Sequence, residues 1–363
     1  MCSIQAAAHK PMIKALPTEG VMYQAIVQRD SSFEGVFTIA VKTTGIFCRP
    51  GCSARTPKPE NVEYFKTNKE AELAGYRACK VCKPTQSAGT QPGWVTEVIN
   101  QFDREGRLSD AKILELGVDP VRVRRWFKKH YGLTFQAWQR ERRISMAHDS
   151  LKGSQSVTET AFAAGFDSLS GFGEAFHKVA GCSPVAGRDR KLIKVKRLLT
   201  PLGPMFVAGD DDGICLLEFD DRKALDGQLT RLQRVLDAQF IAGEHSLFTQ
   251  LERELEQYFA GHLQQFSTSL QLAGTPFQCQ AWNALINIPF GETRSYAQQA
   301  EAIGNPKAVR AVARANGQNA LAIIVPCHRV VGKDGTLTGY AGGLWRKQKL
   351  LDLEIQRKQP SLL

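Results

Sequence analysis

The chain has no apolar run long enough to cross a membrane; its longest, ALAIIVPC at 320–327, is far short of the ~20 residues a bilayer requires. It lacks an apolar leader as well, since MCSIQAAAHKPMIKALP contains no long hydrophobic core, so the expectation is a cytoplasmic protein without a membrane partner. Low-complexity tracts and solenoid repeats are absent. Acidic residues are in deficit: 36 Asp and Glu against 47 Lys and Arg give a net charge of +11, and each third of the chain is basic, which points to a polyanionic partner. The cysteines number nine, an odd count that does not suit a disulfide framework and favours metal or catalytic use.

What is present divides 363 residues into three segments. Pro, Gly, Ser and Thr in KPTQSAGTQPGW (83–94) mark one connection. A second is SPVAGRDRKLIKVK (183–196), after which the pattern turns from helical to strand-like. In the first segment, Cys48 and Cys52 form CxxxC, and Cys79 and Cys82 form CxxC. Two close pairs suit tetrahedral zinc, each pair spanning one edge of the tetrahedron. Lys42, Arg49, Arg55, Lys58, Lys66 and Arg77 surround them as a surface that would meet phosphate or simply solvent. Cys2, Cys182, Cys215, Cys279 and Cys327 are isolated.

The middle segment reads as helices. In DPVRVRRWFKKHYG, Asp119 is an N-cap, Pro120 takes the first helical position and Gly132 follows the end. Val123, Trp126, Phe127 and His130 form an inward stripe, leaving Arg122, Arg124, Arg125, Lys128 and Lys129 as a basic outer face. A second unit is predicted with a short helix at Ala161–Ala164, a turn at GFDS, and a helix at Ser170–Ala180 that turns Phe172, Phe176 and Val179 inward. Its outer face offers Ser168, Ser170, His177 and Lys178, a weakly basic set. Gly171 and Gly173 lie within it, each costing roughly 1 kcal/mol against Ala.

The third segment opens with a hairpin signal at AGDDDG (208–213), followed by helical stretches including LFTQLERELEQYFAG. Asn305 is predicted to cap a helix running from Pro306 to before Gly317. Val309, Val312 and Ala313 would face inward, with Arg310 and Arg314 four residues apart on another face. In IIVPCHRVVG, an apolar strand-like run stops at Pro326 and presents Cys327 beside His328. Alone, the dipeptide reads as a core cysteine next to a surface histidine.

The neighbouring motifs change that reading. PCHRVV after QNALAIIV, with SY and GNPKAVRAV upstream and YAGGL downstream, resembles the active region of O6-alkylguanine-DNA alkyltransferases. TTGIFCRPGC through CKVC resembles the zinc-bearing phosphotriester-repair domain of the Ada family, and the middle segment resembles AraC-type helix-turn-helix regulators. Nearly the whole chain is covered, in Ada order. The resemblance implies a multidomain α+β protein: a small zinc-bound α/β domain (1–86), an all-α AraC-type helix-turn-helix domain (91–188), and an α+β alkyltransferase made of a ribonuclease-like subdomain (191–270) and a winged-helix-like catalytic subdomain (271–363).

It also implies roles. Cys327 would take the alkyl group from guanine O6, or from O4 of methylthymine. His328, acting through a water, would be the base, with Glu354 orienting it. Asn319 would link the helix-turn-helix of the catalytic subdomain to the cysteine. Tyr296 would assist phosphate rotation and protonate the leaving base, Arg310 would fill the gap left by the flipped nucleotide, and Tyr340 would line the pocket. Arg314, Arg122, Arg124, Arg125, Lys128, Ser168, Ser170 and Lys178 are the further DNA-contact candidates. One Zn²⁺ would be held by Cys48, Cys52, Cys79 and Cys82, with Cys48 accepting a methyl group from DNA methylphosphotriesters and so raising DNA binding and activation. The implied partners are double-stranded DNA, alkylated and promoter, and RNA polymerase, with the chain a monomer. The alternative is a zinc-containing AraC-type regulator whose C-terminal domain is non-reactive, which the presence of Cys327, His328, Asn319 and Glu354 disfavours.

General chemistry supports the assignments. A free thiol is only a few per cent ionised at neutral pH, so displacement at carbon needs a base nearby. Guanine leaves as an anion and needs a proton donor. A base paired inside a duplex must be turned out to be reached.

Overall fold

The structure is a computed structural model that describes residues 16–30, 33, 36–85, 91–153 and 155–358. Cys2 and residues 86–90 of the first connection lie outside the described residues.

In the N-terminal part, helix α1 (Glu19–Val27) packs on a four-stranded sheet of β1 (Thr38–Val41), β2 (Ile46–Cys48), β3 (Val62–Phe65) and β4 (Arg77–Ala78), in the order β3-β1-β2-β4. A short helix α2 (Asn68–Leu73) precedes β4. The parallel pairing of β2 with β4 brings the two cysteine motifs together: the Cys79 amide donates to the Phe47 carbonyl at 3.0 Å, so Cys48 and Cys79 leave neighbouring strand ends. The amide of Arg49 faces Cys82 Sγ at 3.5 Å, and that of Ala54 faces Cys52 Sγ at 3.5 Å. All four Sγ atoms lie within 4.8 Å of one another. Tetrahedral zinc thiolate, with Zn–S of about 2.3 Å, requires sulfurs roughly 3.8 Å apart, and the donor set is four thiols, so the cluster fits one Zn²⁺.

Six helices follow: α3 (Gly93–Glu105), α4 (Asp110–Glu115), α5 (Pro120–Tyr131), α6 (Phe135–Lys152), α7 (Val157–Ala163) and α8 (Leu169–Ala180). Asp119 caps α5 by accepting from the Val121 amide at 2.8 Å, and Gly132 closes it at φ 71°. Val123 and Phe127 are buried, whereas Trp126 and His130 are half-buried. The first helix of the second unit starts at Val157 rather than Ala161, because the Ser156 hydroxyl caps it by accepting from the Glu159 amide at 3.1 Å. In α8, Phe172 and Phe176 are buried and Val179 is half-buried.

A second four-stranded sheet, in the order β7-β6-β5-β8, contains β5 (Leu192–Thr200), β6 (Gly203–Asp210), β7 (Gly213–Phe219) and β8 (Gln239–Ala242), with α9 (Leu225–Leu236) and α10 (Ser246–Ala260) beside it. The expected hairpin joins β6 to β7. Helix α6 covers the edge strand β8, and its Arg142 pairs with Asp103 of α3 at 2.7 Å and with Glu244, just after β8, at 3.0 Å. The last part holds α11 (Pro276–Ile286), the short strand β9 (Arg294–Ser295), α12 (Tyr296–Ala302), α13 (Val309–Gly317), the short strand β10 (Val330–Val331) and α14 (Leu344–Lys358). One apolar core runs through both, joining Met205, Phe248 and Tyr258 to Trp282, Ile323 and Leu350.

Two local expectations are corrected here. The run before Cys327 is not a strand: Leu321 makes a single bridge to Leu217, and the chain then turns through Ile323 at φ 74°. The Ala322 amide donates to the Leu217 carbonyl at 2.8 Å, and beyond it turn bonds take over, Val325 to the Leu321 carbonyl at 2.9 Å and Cys327 to the Val325 carbonyl at 2.8 Å, so no longer ladder is needed. The helix predicted from Pro306 begins with a single 3₁₀ turn and becomes α-helical only at Val309, reaching Gly317; Asn305 makes no side-chain cap. With that phase, Val312 and Ala315 are buried, Val309 is half-buried and Ala313 is exposed. Among the described residues, no helix is long and apolar enough to cross a membrane.

Among the described residues, the N-terminal sheet has only small apolar clusters, in which Met22, Phe37, Ile39 and Phe47 are the most buried large members. For so small a core the expectation is that bound metal contributes much of its stability. We expect one zinc per chain by elemental analysis. Strong chelation should expose four further thiols to a maleimide and abolish the slow-exchanging amides of β1 and β2 while those of β5 and β6 persist. Retention of that protection after metal removal would show that the fold of this part does not depend on zinc.

Candidate functional site

Cys327 opens a single 3₁₀ turn, Cys327–Arg329, and lies half-buried in a cavity of about 700 Å³. Tyr296, Asn316, Thr338, Tyr340 and Arg222 share its lining. Asn319 sits between helix and cysteine. Its Nδ2 donates to Cys327 Sγ at 3.3 Å and to the Val325 carbonyl at 2.9 Å, and its Oδ1 accepts from the Leu321 amide at 2.9 Å. A side-chain amide fastened at both ends is a fixed donor to sulfur, which favours the thiolate.

His328 is not on the surface, contrary to the simplest reading of the dipeptide; it is 0% exposed. Its Nε2 lies 2.8 Å from Glu354 Oε1. Glu354 also takes a two-pronged contact from Arg329, Nε to Oε2 at 2.9 Å and Nη2 to Oε1 at 3.0 Å. Burial pushes the Glu354 carboxyl up, but His328 and Arg329 outweigh it and hold the group well below the usual carboxylate range. A carboxylate only accepts, so Nε2 carries the imidazole proton and Nδ1 keeps the lone pair in the neutral ring. Among the described residues, Nδ1 has no hydrogen-bond partner. Burial lowers the His328 pKa against the opposing pull of Glu354, so the ring is neutral at physiological pH.

Burial raises the Cys327 pKa, with the Asn319 hydrogen bond and the Lys347 charge opposing the rise. The resting pair is therefore thiol and neutral imidazole, a ring form that is able to accept a proton. Tyr296 heads α12, and burial raises its phenol, with a hydrogen bond to Thr338 opposing. The phenol is thus a proton donor rather than a base. Tyr340 is buried at its hydroxyl, stands edge-on to His328 with ring centroids 6.5 Å apart, and belongs to the cavity wall.

On α13, Arg310, Ala313, Arg314 and Gly317 share one face by helical spacing. Ala313 and Gly317 line the cavity, so the two exposed arginines stand on the helix face that borders its mouth. The helix-turn-helix candidates are spread more widely. Arg122 lies 4.8 Å over the Trp94 ring, Arg124 pairs with Asp110 at 2.7 Å, and Lys128 donates to the Gly132 carbonyl at 2.8 Å. Arg125 and Lys178 are exposed. Ser168 is the N-cap of α8, accepting from the Gly171 amide at 3.1 Å, and its hydroxyl lies 3.3 Å from that of Ser170. A separate, largely apolar cavity of about 480 Å³ is lined by Cys48, Cys52 and Cys79, with Arg55 and Lys58 in its wall.

Sequence reasoning missed several groups at the centre. Arg329 follows the motif histidine, but nothing in its position showed that it would be buried on Glu354. Lys347 is fully buried; its ammonium donates to the carbonyls of Val330 and Thr338, and burial brings its pKa down to about 8. A signal existed for it: Lys347, Leu350, Leu351 and Glu354 fall on one helical stripe, which places the lysine on the buried face. Arg222, which ties Asn319 and Gly317 by their carbonyls at 3.1 and 2.8 Å and pairs with buried Glu218, comes from a distant part of the chain and gave no local signal.

Four family models match the chain in succession: the metal binding domain of Ada at 21–85, a helix-turn-helix domain at 114–190, the ribonuclease-like domain of 6-O-methylguanine DNA methyltransferase at 194–272, and the DNA binding domain of that methyltransferase at 276–356. The bifunctional transcriptional activator and DNA repair enzyme Ada of Escherichia coli K12 is 36% identical over 348 residues, covering 94% of this chain and 98% of its own length. The regulatory protein Ada of Salmonella typhimurium is 34% identical over 359 residues, covering 96% and 100%. A solved structure of Mycobacterium tuberculosis O6-methylguanine methyltransferase is 40% identical over 47% of this chain and 96% of its own, with a TM-score of 0.41. With both Ada proteins spanned almost end to end, and the metal-binding, helix-turn-helix and methyltransferase parts present in order, the chain belongs to the Ada family.

Proposed function

We propose that the protein repairs alkylated double-stranded DNA at two separate thiols and regulates transcription through the first. The observation that carries this reading is Cys327 Sγ at a cavity wall, tied to Asn319 and followed by the buried His328–Glu354 pair. At Cys327, sulfur attacks the methyl carbon of O6-methylguanine or O4-methylthymine. The S–C bond forms as the O–C bond breaks, and the base leaves with the electron pair. The thiol proton passes towards His328, while Tyr296 supplies a proton to the departing base. The resulting thioether is stable to hydrolysis, so each chain reacts once.

A target base must leave the duplex to reach the 700 Å³ cavity, and Arg310 on the rim would hold the vacated space. Arg314 would contact the backbone beside it. Tyr340 bounds the pocket for the turned-out base.

The second thiol is Cys48, with Cys52, Cys79 and Cys82 as the other ligands of one Zn²⁺. When bound, the metal keeps the four thiols ionised. Cys48 Sγ then takes the methyl carbon of a DNA methylphosphotriester, and the leaving group is a phosphodiester, already a stable anion that needs no proton. The Arg55 and Lys58 side chains flanking that cavity suit an approaching phosphate. Four thiolates on a divalent cation carry a net charge of about −2, and methylation of one leaves about −1, so repulsion from DNA falls. The helix-turn-helix part adds a tethered DNA contact through Arg122, Arg124, Arg125 and Lys128, with Ser168, Ser170 and Lys178 on the second helix pair. We further infer a cytoplasmic monomer, divided at 1–86, 91–188, 191–270 and 271–363, that recruits RNA polymerase once methylated.

Cys327→Ala is expected to abolish methyl removal from guanine O6 while phosphotriester repair continues, and Cys48→Ser to do the reverse. Peptide masses after reaction with methyl-labelled DNA will show it; base repair by the alanine variant would overturn the assignment. Arg310→Ala should slow repair in duplex DNA on the order of tenfold or more, yet leave reaction with free O6-methylguanine near wild type, because a free base needs no extrusion. Equal losses on both substrates would place Arg310 in pocket integrity instead. Protein methylated at Cys48 should bind promoter DNA more tightly than unmodified protein, with the difference shrinking as salt rises. Identical titrations at two salt concentrations would remove the switch.

A further inference from the structure

The Glu354 carboxylate has a partner from outside the catalytic part of the chain. Tyr258, on α10 beside the second sheet, donates its phenol to Glu354 Oε1 at 2.7 Å. The other donors to Glu354 are His328, Arg329 and the Gly291 amide at 3.0 Å, all within 276–356. Tyr258 is fully buried. Its ring lies 5.4 Å from Phe266 and 6.0 Å from Phe290, an aromatic seat that leaves the hydroxyl a single direction.

We propose that Tyr258 is a positioning residue of methyl transfer, holding Glu354 so that it orients His328 without making the imidazolium too stable. This role rests on the proposed reaction at Cys327. Oε1 is shared among three donors: His328 Nε2, Arg329 Nη2 and the Tyr258 hydroxyl. Charge drawn toward the phenol and the guanidinium is unavailable to the imidazole. The carboxylate therefore fixes the His328 tautomer by geometry while its pull on a second proton is weakened. A more basic carboxylate would favour the doubly protonated ring, which cannot accept a proton from Cys327. The sharing also gives the part of the chain before residue 272 a function in the reaction, since one of its side chains touches the relay directly.

The groups facing His328 are Glu354 and Lys347 on α14, the adjacent Arg329 and Cys327, and Tyr340 from the loop before α14. None is altered in Tyr258→Phe, which keeps the ring and removes the donor. The test uses the full chain with zinc and a duplex containing O6-methylguanine, measuring the single-turnover rate of methyl transfer across pH. Total methyl uptake and affinity for the same duplex without the lesion are recorded alongside. With the phenol gone, Oε1 binds the imidazolium more strongly, so the acid limb of the rate profile should move to higher pH by roughly half a unit or more. Uptake and affinity should stay at wild-type values. A fluorinated tyrosine at 258, similar in shape and a stronger donor, should move the limb the other way. It also serves as the informative variant if the phenylalanine protein does not fold.

Wild-type protein that took up no methyl would overturn the reaction itself, and this role with it. Wild-type transfer with an unmoved acid limb in the fluorinated variant would overturn the role of Tyr258 alone. A phenylalanine variant with reduced uptake or thermal stability but an unmoved limb would show that the hydroxyl serves packing only.

Discussion

Glu354 is a charged group with no exposure to water, and the structure around Cys327 is arranged to make that tolerable. An ionised carboxylate buried without partners costs far more than a protein's net stability, so the charge persists only where donors saturate it. Arg329, His328, Tyr258 and the Gly291 amide do so, and they come from three separate stretches of chain. The same saturation fixes the proton on Nε2 of His328 and the lone pair on Nδ1. Orientation of the base is thus a consequence of satisfying one buried charge. Since the folded-state pKa values of Glu354 and His328 both lie below their ordinary values, the stability they contribute is present at neutral pH. It is lost as pH falls, first where an unfolded histidine would protonate, near 6.5, and then through the carboxylate range.

Burial works against the nucleophile in the same place. It raises the Cys327 thiol, and the Asn319 amide and Lys347 ammonium only partly oppose it. A resting thiol is protected from adventitious oxidation, while the amide already points at the sulfur for the moment when the proton leaves. Lys347 is itself stripped of water, its ammonium held by two backbone carbonyls, so its positive charge acts through a medium that screens little. The sulfur of Cys327 is therefore not a standing thiolate at rest.

The two thiol sites are built by opposite means. Around Cys327 a hydrogen-bonded amide, a buried imidazole–carboxylate pair and phenols surround one sulfur that is protonated at rest. Around Cys48 four sulfurs within 4.8 Å of one another form a metal-binding set rather than an acid–base relay. The cysteine pairs meet because β2 and β4 run parallel and side by side, a pairing between stretches some thirty residues apart.

Much of this was legible in the amino-acid order. Spacing alone marked the four zinc ligands, and the caps at Asp119 and Gly132 placed α5 to the residue, because those signals act between neighbours in the chain. The stretch PCHRVV, with the motifs around it, carried Cys327, His328, Asn319 and Glu354 by family resemblance, and the structure brings all four together. The strand-like run before Pro326 was misread, since apolar composition reports burial and not backbone path; there the chain turns at Ile323 and satisfies its amides locally. Arg329, Arg222 and Tyr258 became visible only in three dimensions, and so did the partners of Lys347, whose helical stripe marks it only as buried. Their part in the site depends on which distant groups share a desolvated space, and a charge or phenol acquires its partner only when the fold removes water from both.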